Sequence, residues 1–157
     1  MEGMVVATKW LTISLALALA ASVLAQPPAA PDITGTWVYN PARSKLPKDI
    51  PVPSHTITIT RVGKTYSIVI KNESSESTHL YTVDGHEHTQ GSGTGGPRSP
   101  KASMKAAWKG RVLVTSLAYP SDSMPHVQRW SLSSGGSTLT READDPEQIL
   151  VFVYDRE

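Results

Sequence analysis

From His55 onward, apolar and polar residues alternate with a period of two, and glycine-bearing turns break the alternation at short intervals. In His55-Thr-Ile-Thr-Ile-Thr-Arg-Val62, Ile57 and Ile59 share one face, while Thr56, Thr58 and Thr60 share the other. Thr65-Tyr-Ser-Ile-Val-Ile70 repeats the pattern with Tyr66, Ile68 and Ile70 aligned. Two β-branched runs about Gly63-Lys64 predict a hairpin, because successive strand side chains point to opposite faces and glycine admits the tight turn. The pattern continues almost to the C-terminus. Thr78–Val83 and His86–Gln90 flank Asp84-Gly85, Ala102–Trp108 and Arg111–Tyr119 flank Lys109-Gly110, and Val127–Ser133 and Ser137–Arg141 flank Ser134-Gly135-Gly136. Gln148-Ile-Leu-Val-Phe-Val-Tyr154 is the last and most apolar run. No helical period of useful length interrupts them.

Short connections make consecutive strands antiparallel neighbours. A sheet of this many strands leaves two edges exposed to aggregation unless it closes on itself. The expected fold is therefore all-β, a single antiparallel up-and-down barrel of about 8–10 strands, with a sandwich as the alternative. The chain has no cysteine, so its stability has to come from its core rather than from disulfides.

The N-terminal segment has a different character. Lys9 precedes an apolar run from Leu11 to Leu19, and Ala20-Ala-Ser-Val-Leu-Ala25 follows with Val23 and Ala25 at the positions a signal peptidase reads. Residues 1–25 are expected to be a signal peptide cleaved before Gln26, and the apolar stretch is short for a spanning helix. Gln26-Pro-Pro-Ala-Ala-Pro31 reads as an extended linker, and residues 32–157 as one domain. The product is expected to be exported, to the periplasm or the medium, with no stable membrane anchor. A formal net charge of +1 gives no reason to expect nucleic acid as a partner. Nothing in the sequence sets an oligomeric state.

Several blocks in fixed order carry a family resemblance. They are Gly35-Thr-Trp37 with Asn40-Pro-Ala-Arg-Ser-Lys45, then Asp84-Gly85 and Trp108-Lys-Gly110, then Leu132-Ser-Ser-Gly-Gly-Ser-Thr-Leu-Thr140 with Val153-Tyr-Asp-Arg156. Together they resemble a lipocalin-like secreted bacterial domain of the calycin β-barrel type. The resemblance implies that Trp37 packs at the closed end of the barrel with Arg156 over its indole, Gly35 completing a structural signature. It also implies non-enzymatic binding of a small molecule in the barrel. Prolines 47, 51 and 53 argue against the helical lid of fatty-acid-binding proteins.

From the alternation, Ile57, Ile59, Tyr66, Ile68, Ile70, Met104, Trp108, Val112, Val114, Trp130 and Leu132 are expected to face inward. Tyr66, Met104, Trp108 and Trp130 are the expected lining for an apolar or amphipathic ligand. Arg61 and Arg129 are the first candidates, among strand arginines that include Arg111 and Arg141, for an inward guanidinium able to hold a carboxylate. The alternatives are a filled-core interaction domain with no pocket, or a metal-binding protein or metal-dependent enzyme that uses His86 and His88 of His86-Glu87-His88. In an extended segment its two imidazoles lie about 7 Å apart on one side, a spacing that suits zinc or copper if His79 supplies a third ligand. Catalysis has no comparable signature. There is no Gly-x-Ser-x-Gly elbow, no cysteine nucleophile, no P-loop and no dinucleotide fingerprint. Asp144, Asp145 and Glu147 sit at a proline turn, where carboxylates are ordinarily solvated. No enzyme activity and no cofactor are expected.

Overall fold

A computed structural model describes residues 29–47, 55–91 and 101–157. The expected signal peptide, the first half of the linker, Pro51 and Pro53, and the glycine-rich loop beyond Gly91 lie outside the described residues. Ten strands follow one another: β1 (Gly35–Tyr39), β2 (His55–Val62), β3 (Thr65–Asn72), β4 (Glu76–Thr82), β5 (Glu87–Gly91), β6 (Lys101–Lys109), β7 (Val112–Ala118), β8 (His126–Leu132), β9 (Thr138–Asp144) and β10 (Ile149–Arg156). They form one antiparallel sheet in the order β4-β3-β2-β1-β10-β9-β8-β7-β6-β5. Every ladder joins sequence neighbours except β1 with β10, which brings the two ends of the domain together and curls the sheet into a nearly closed barrel. No helix occurs among the described residues.

The remaining opening lies between β4 and β5. These strands were expected to pair through Asp84-Gly85, and they do not. Val83 instead donates its N–H to the Lys64 carbonyl and bridges Ala106 in parallel sense, while Gly85 donates to the Ala106 carbonyl at 3.0 Å. The turn thus steps the chain from the side of the β2–β3 turn across to β6, and Gly85 supplies the φ of +78° this needs. The Asp84 carboxylate accepts the His86 N–H and contacts the His88 imidazole, which fixes the turn without a ladder. A side-chain bond, Leu80 N–H to Gln90 Oε1 at 3.1 Å, spans the gap.

Directly opposed residues in an antiparallel pair share a face, so the registers trace the interior around the barrel. Trp37 faces Ile57, Ile57 faces Ile70, Ile59 faces Ile68, and Tyr66 faces Tyr81. On the other wall Trp108 faces Leu113, Leu113 faces Trp130, Trp130 faces Arg141 and Arg141 faces Phe152. Trp37, Ile57, Ile59, Tyr66, Leu113, Trp130, Leu139 and Tyr154 are essentially inaccessible. Complete burial of such side chains contributes about 1.5–3 kcal/mol each relative to exposure, so this layer supplies the driving force that disulfides cannot.

Strand β7 corrects the expected face. Leu113 and Thr115 are buried inside, and Val112 and Val114 point outward. Val112-Leu-Val-Thr-Ser-Leu-Ala118 carries apolar residues on both faces, so its own pattern does not decide. Pairing of Trp108 with Leu113 decides it, since a shift of one residue turns every side chain over.

The first and last strands are tied together where Trp37 pairs with Arg156. Arg156 lies with its guanidinium carbon 4.3 Å from the centre of the Trp37 ring. It also donates from Nε to the Gly136 carbonyl at 2.9 Å and from Nη1 to the Thr34 carbonyl at 3.1 Å. The buried indole donates to the Ile33 carbonyl at 3.0 Å. Gly35 adopts φ +131°, and a Cβ there would stand 2.9 Å from Arg156 Nη1, so glycine serves both the backbone conformation and the close approach.

Candidate functional site

The interior is not wholly apolar. Arg141, at the centre of β9, is fixed inward by its pairs with Trp130 and Phe152, and only 9% of its surface is exposed. It makes no ion pair among the described residues. Its guanidinium carbon lies 4.1 Å from the Phe152 ring centre, 5.7 Å from Trp130 and 6.0 Å from Tyr154. Aromatic faces attract a cation, but none of them accepts a hydrogen bond in the plane of the guanidinium as a carboxylate does. Arg141 Nε is buried with no hydrogen-bond partner among the described residues. Burial therefore pulls the pKa of Arg141 below its ordinary value, the phenols of Tyr154, Tyr81 and Tyr39 opposing that shift. Arginine still remains protonated under any ordinary condition, so a full positive charge sits in the barrel.

A ring of aromatic and hydroxyl groups surrounds that charge. Tyr39 stacks on His55 with centroids 5.0 Å apart, and the Tyr154 hydroxyl lies 2.6 Å from His55 Nε2. Burial pushes the Tyr154 phenol well above its ordinary pKa and that of Tyr81 up to about 12, although Arg141 favours the phenolate of both. Both are neutral donors at physiological pH. The Trp130 indole donates to the fully buried Thr115 hydroxyl at 3.1 Å. Half-buried His79 lies on the inner face of β4, opposite Ile68.

The expected ligand lining is all inward but does not form one patch. Tyr66 and Trp108 meet edge to face at 6.4 Å across the β4–β5 opening, from β3 to β6. Met104 is buried opposite Leu117. Trp130 is committed to Thr115 and to the flank of Arg141. The Tyr66 hydroxyl is buried without a hydrogen-bond partner among the described residues, and Arg61 lies over its ring at 5.4 Å. Of the two arginines expected first, Arg61 is exposed at the strand end, and Arg129 points outward into a bidentate pair with Asp144 at 2.5 and 3.1 Å. The interior guanidinium belongs to Arg141.

The histidine alternative is not assembled. No group of three or more His, Cys, Asp or Glu side chains suited to a metal ion occurs among the described residues. His88 Nε2 lies 3.0 Å from an Asp84 oxygen, His86 is exposed beside the turn, and His79 faces the interior instead of joining them. A β4–β5 ladder closed at Asp84-Gly85 would have set His79 opposite Gln90, near the end of β5, and that ladder does not form. A cleft of about 610 Å³ opens on the outer surface between the β7–β8 and β9–β10 connections, lined by residues that include Met124, Pro125, His126, Asp144 and Pro146. Its carboxylates are already engaged: Asp144 by Arg129, Asp122 by His126 and the Tyr119 N–H, and Asp145 by the Glu147 N–H.

No protein-family model and no curated protein sequence matches this chain. Solved structures do share its fold. The REP1-NXSQ fatty acid transporter superposes with a TM-score of 0.60 at 14% identity, over 80% of this chain and 96% of that one. Apo Caenorhabditis elegans lipid binding protein 8 gives 0.61 at 11% identity, over 80% and 95%. Human cRBP IV gives 0.61 at 14%, over 82% of this chain and all of that one. The chain thus shares the barrel fold of these proteins, two of which are named for fatty acid transport or lipid binding. At such identities the likeness carries the architecture alone.

Proposed function

We propose that this protein is a non-enzymatic carrier that holds one small, mainly apolar molecule with an acidic headgroup inside its barrel. The apolar part lies among Tyr66, Met104 and Trp108, and the headgroup sits on Arg141. The observation that supports this is a nine-tenths buried guanidinium with an unpartnered Nε and no carboxylate beside it among the described residues. A charge in low dielectric is costly unless paired, and an anionic ligand is the partner that would make its placement favourable. The fold neighbours named for fatty acid and lipid binding favour the same reading. We place the carrier outside the cytoplasm on the character of residues 1–25.

The test compares two fluorescent probes of similar size, anionic 1-anilinonaphthalene-8-sulfonate and neutral N-phenyl-1-naphthylamine. Arg141→Met should weaken the sulfonate selectively. Equal affinity of wild type and variant for the sulfonate would overturn the assignment.

A further inference from the structure

We propose that His79 completes the Arg141 site from the opposite wall and takes up one proton as the ligand enters, so that the barrel captures an amphiphilic anion together with a proton. This rests on the reading of Arg141 as the headgroup anchor.

Placement comes from topology. β4 and β9 are five strands apart whichever way the barrel is counted, so they lie on opposite walls and their inward side chains point toward one another across the interior. His79 is turned inward by its pairing with fully buried Ile68, and its ring lies 6.3 Å from that of Tyr81. The imidazole makes no hydrogen bond among the described residues, so both ring nitrogens are available to a ligand. Burial first, and the Arg141 charge second, hold the His79 pKa below the usual imidazole value. Without an anion, a neutral imidazole therefore faces a fixed cation at neutral pH.

An anion on Arg141 reverses the electrostatics. It cancels the repulsion from the guanidinium and attracts a proton to the imidazole. The reaction is a simple protonation. One proton from solvent adds to a ring nitrogen, the imidazolium N–H donates to an anion oxygen, and no other bond changes. By linkage, proton and anion strengthen each other's binding equally, and one coupled proton changes affinity by at most about tenfold per pH unit.

Few other groups face this space. Tyr81 on the same strand, and Tyr154 and Tyr39 near the guanidinium, are phenols. Tyr81 and Tyr154, whose pKa values burial raises, stay neutral below pH 9. On β3 the inward neighbours Ile68 and Ile70 do not titrate, and Tyr66, opposite Tyr81, is a further buried phenol. Across the gap, His88 of β5 is held by Asp84. His55, bonded to Tyr154, is a second interior imidazole, so the assignment requires a variant of His79 itself.

The experiment measures 1-anilinonaphthalene-8-sulfonate affinity from pH 8 to pH 5, a range in which a sulfonate stays ionised. N-phenyl-1-naphthylamine serves as the neutral control. Wild type should bind the sulfonate roughly threefold to tenfold more tightly per unit fall in pH over part of this range, with the neutral probe flat. His79→Gln should flatten the sulfonate profile. Calorimetry in two buffers of different ionisation enthalpy should show uptake approaching one proton per sulfonate bound to wild type, a result that depends on no variant. A flat wild-type profile with no proton uptake would overturn the proposal, as would a slope that persists in His79→Gln. In either case selective loss in Arg141→Met would still support the anchor. If Arg141→Met binds the sulfonate as wild type does, the anchor reading fails and this proposal with it.

Discussion

Replacing Arg141 with methionine should make the protein more stable while it loses its anionic ligand. The interior holds the Arg141 guanidinium at 9% exposure with no ion pair among the described residues. An unpaired buried charge costs several kcal/mol even after relaxation. The aromatic contacts offset part of this. Phe152 at 4.1 Å is close enough for about 2 kcal/mol, while Trp130 and Tyr154, near the 6 Å limit, add about 0.5 kcal/mol each. The unpartnered Nε adds a penalty of about 1–3 kcal/mol on the other side. Methionine keeps most of the volume and adapts its shape. The balance favours the variant by roughly 1–2 kcal/mol, which for a domain of this size is about 3–10 °C in Tm. Urea denaturation of both proteins without ligand measures it. Sulfonate affinity should fall about 10- to 100-fold, the value of a charge-assisted pair of about 1.5–3 kcal/mol. A loss of more than about 2 kcal/mol of stability would refute the reasoning, because it would mean that Arg141 is a structural cation with a counterion inside the protein.

Other outcomes follow from the same contacts. Trp37→Ala should cost about 3–5 kcal/mol, since it empties a fully buried indole site and removes the platform under Arg156; an unchanged melting curve would contradict this. Tyr66→Phe should be neutral or stabilising by about 1 kcal/mol, because the lost hydroxyl is buried without a partner, and chemical denaturation would expose any larger loss. Arg129→Ala, which breaks an exposed ion pair with Asp144, should change stability by less than about 1 kcal/mol, and by less still in high salt. In alkali the sign is fixed by the buried phenols. The Tyr81 pKa, raised to about 12, leaves the unfolded chain to ionise first, so stability is complete below pH 10 and falls as pH rises from 10 toward 12. Phenolate absorbance should therefore develop together with loss of near-ultraviolet circular dichroism, and independent titration of all five tyrosines in the folded state would be the contrary result.

The wall of the barrel was largely legible in the sequence, and its interior chemistry was not. Clean alternation in 55–70 and the glycine turns at 63, 110 and 136 mark hairpins without tertiary information. Gly35, Trp37 and Arg156 were legible through family resemblance, and the structure brings them into one contact. Three features depended on register. Val112-Leu-Val-Thr is apolar on both faces, so only its partner strand reveals that Leu113 and Thr115 are inside. Asp84-Gly85 has the composition of a hairpin turn, yet it makes a crossing, because Val83 and Gly85 find their hydrogen bonds on the β2–β3 turn and on β6. Arg141 sits in Thr138-Leu-Thr-Arg-Glu-Ala-Asp144, where polar residues occupy both faces and a strand arginine is ordinarily solvated. Its pairing with Trp130 and Phe152 was the available signal, and that signal exists only after the strands are aligned.

The most direct measurement is a crystal structure of the protein grown with 11-bromoundecanoic acid at neutral pH, using bromine anomalous scattering. The account places the carboxylate within about 3 Å of the Arg141 guanidinium and the bromine inside the barrel near Tyr66, Met104 and Trp108. Bromine density confined to the outer cleft beside Met124 and Pro146, with Arg141 unchanged among its aromatic rings, would contradict it.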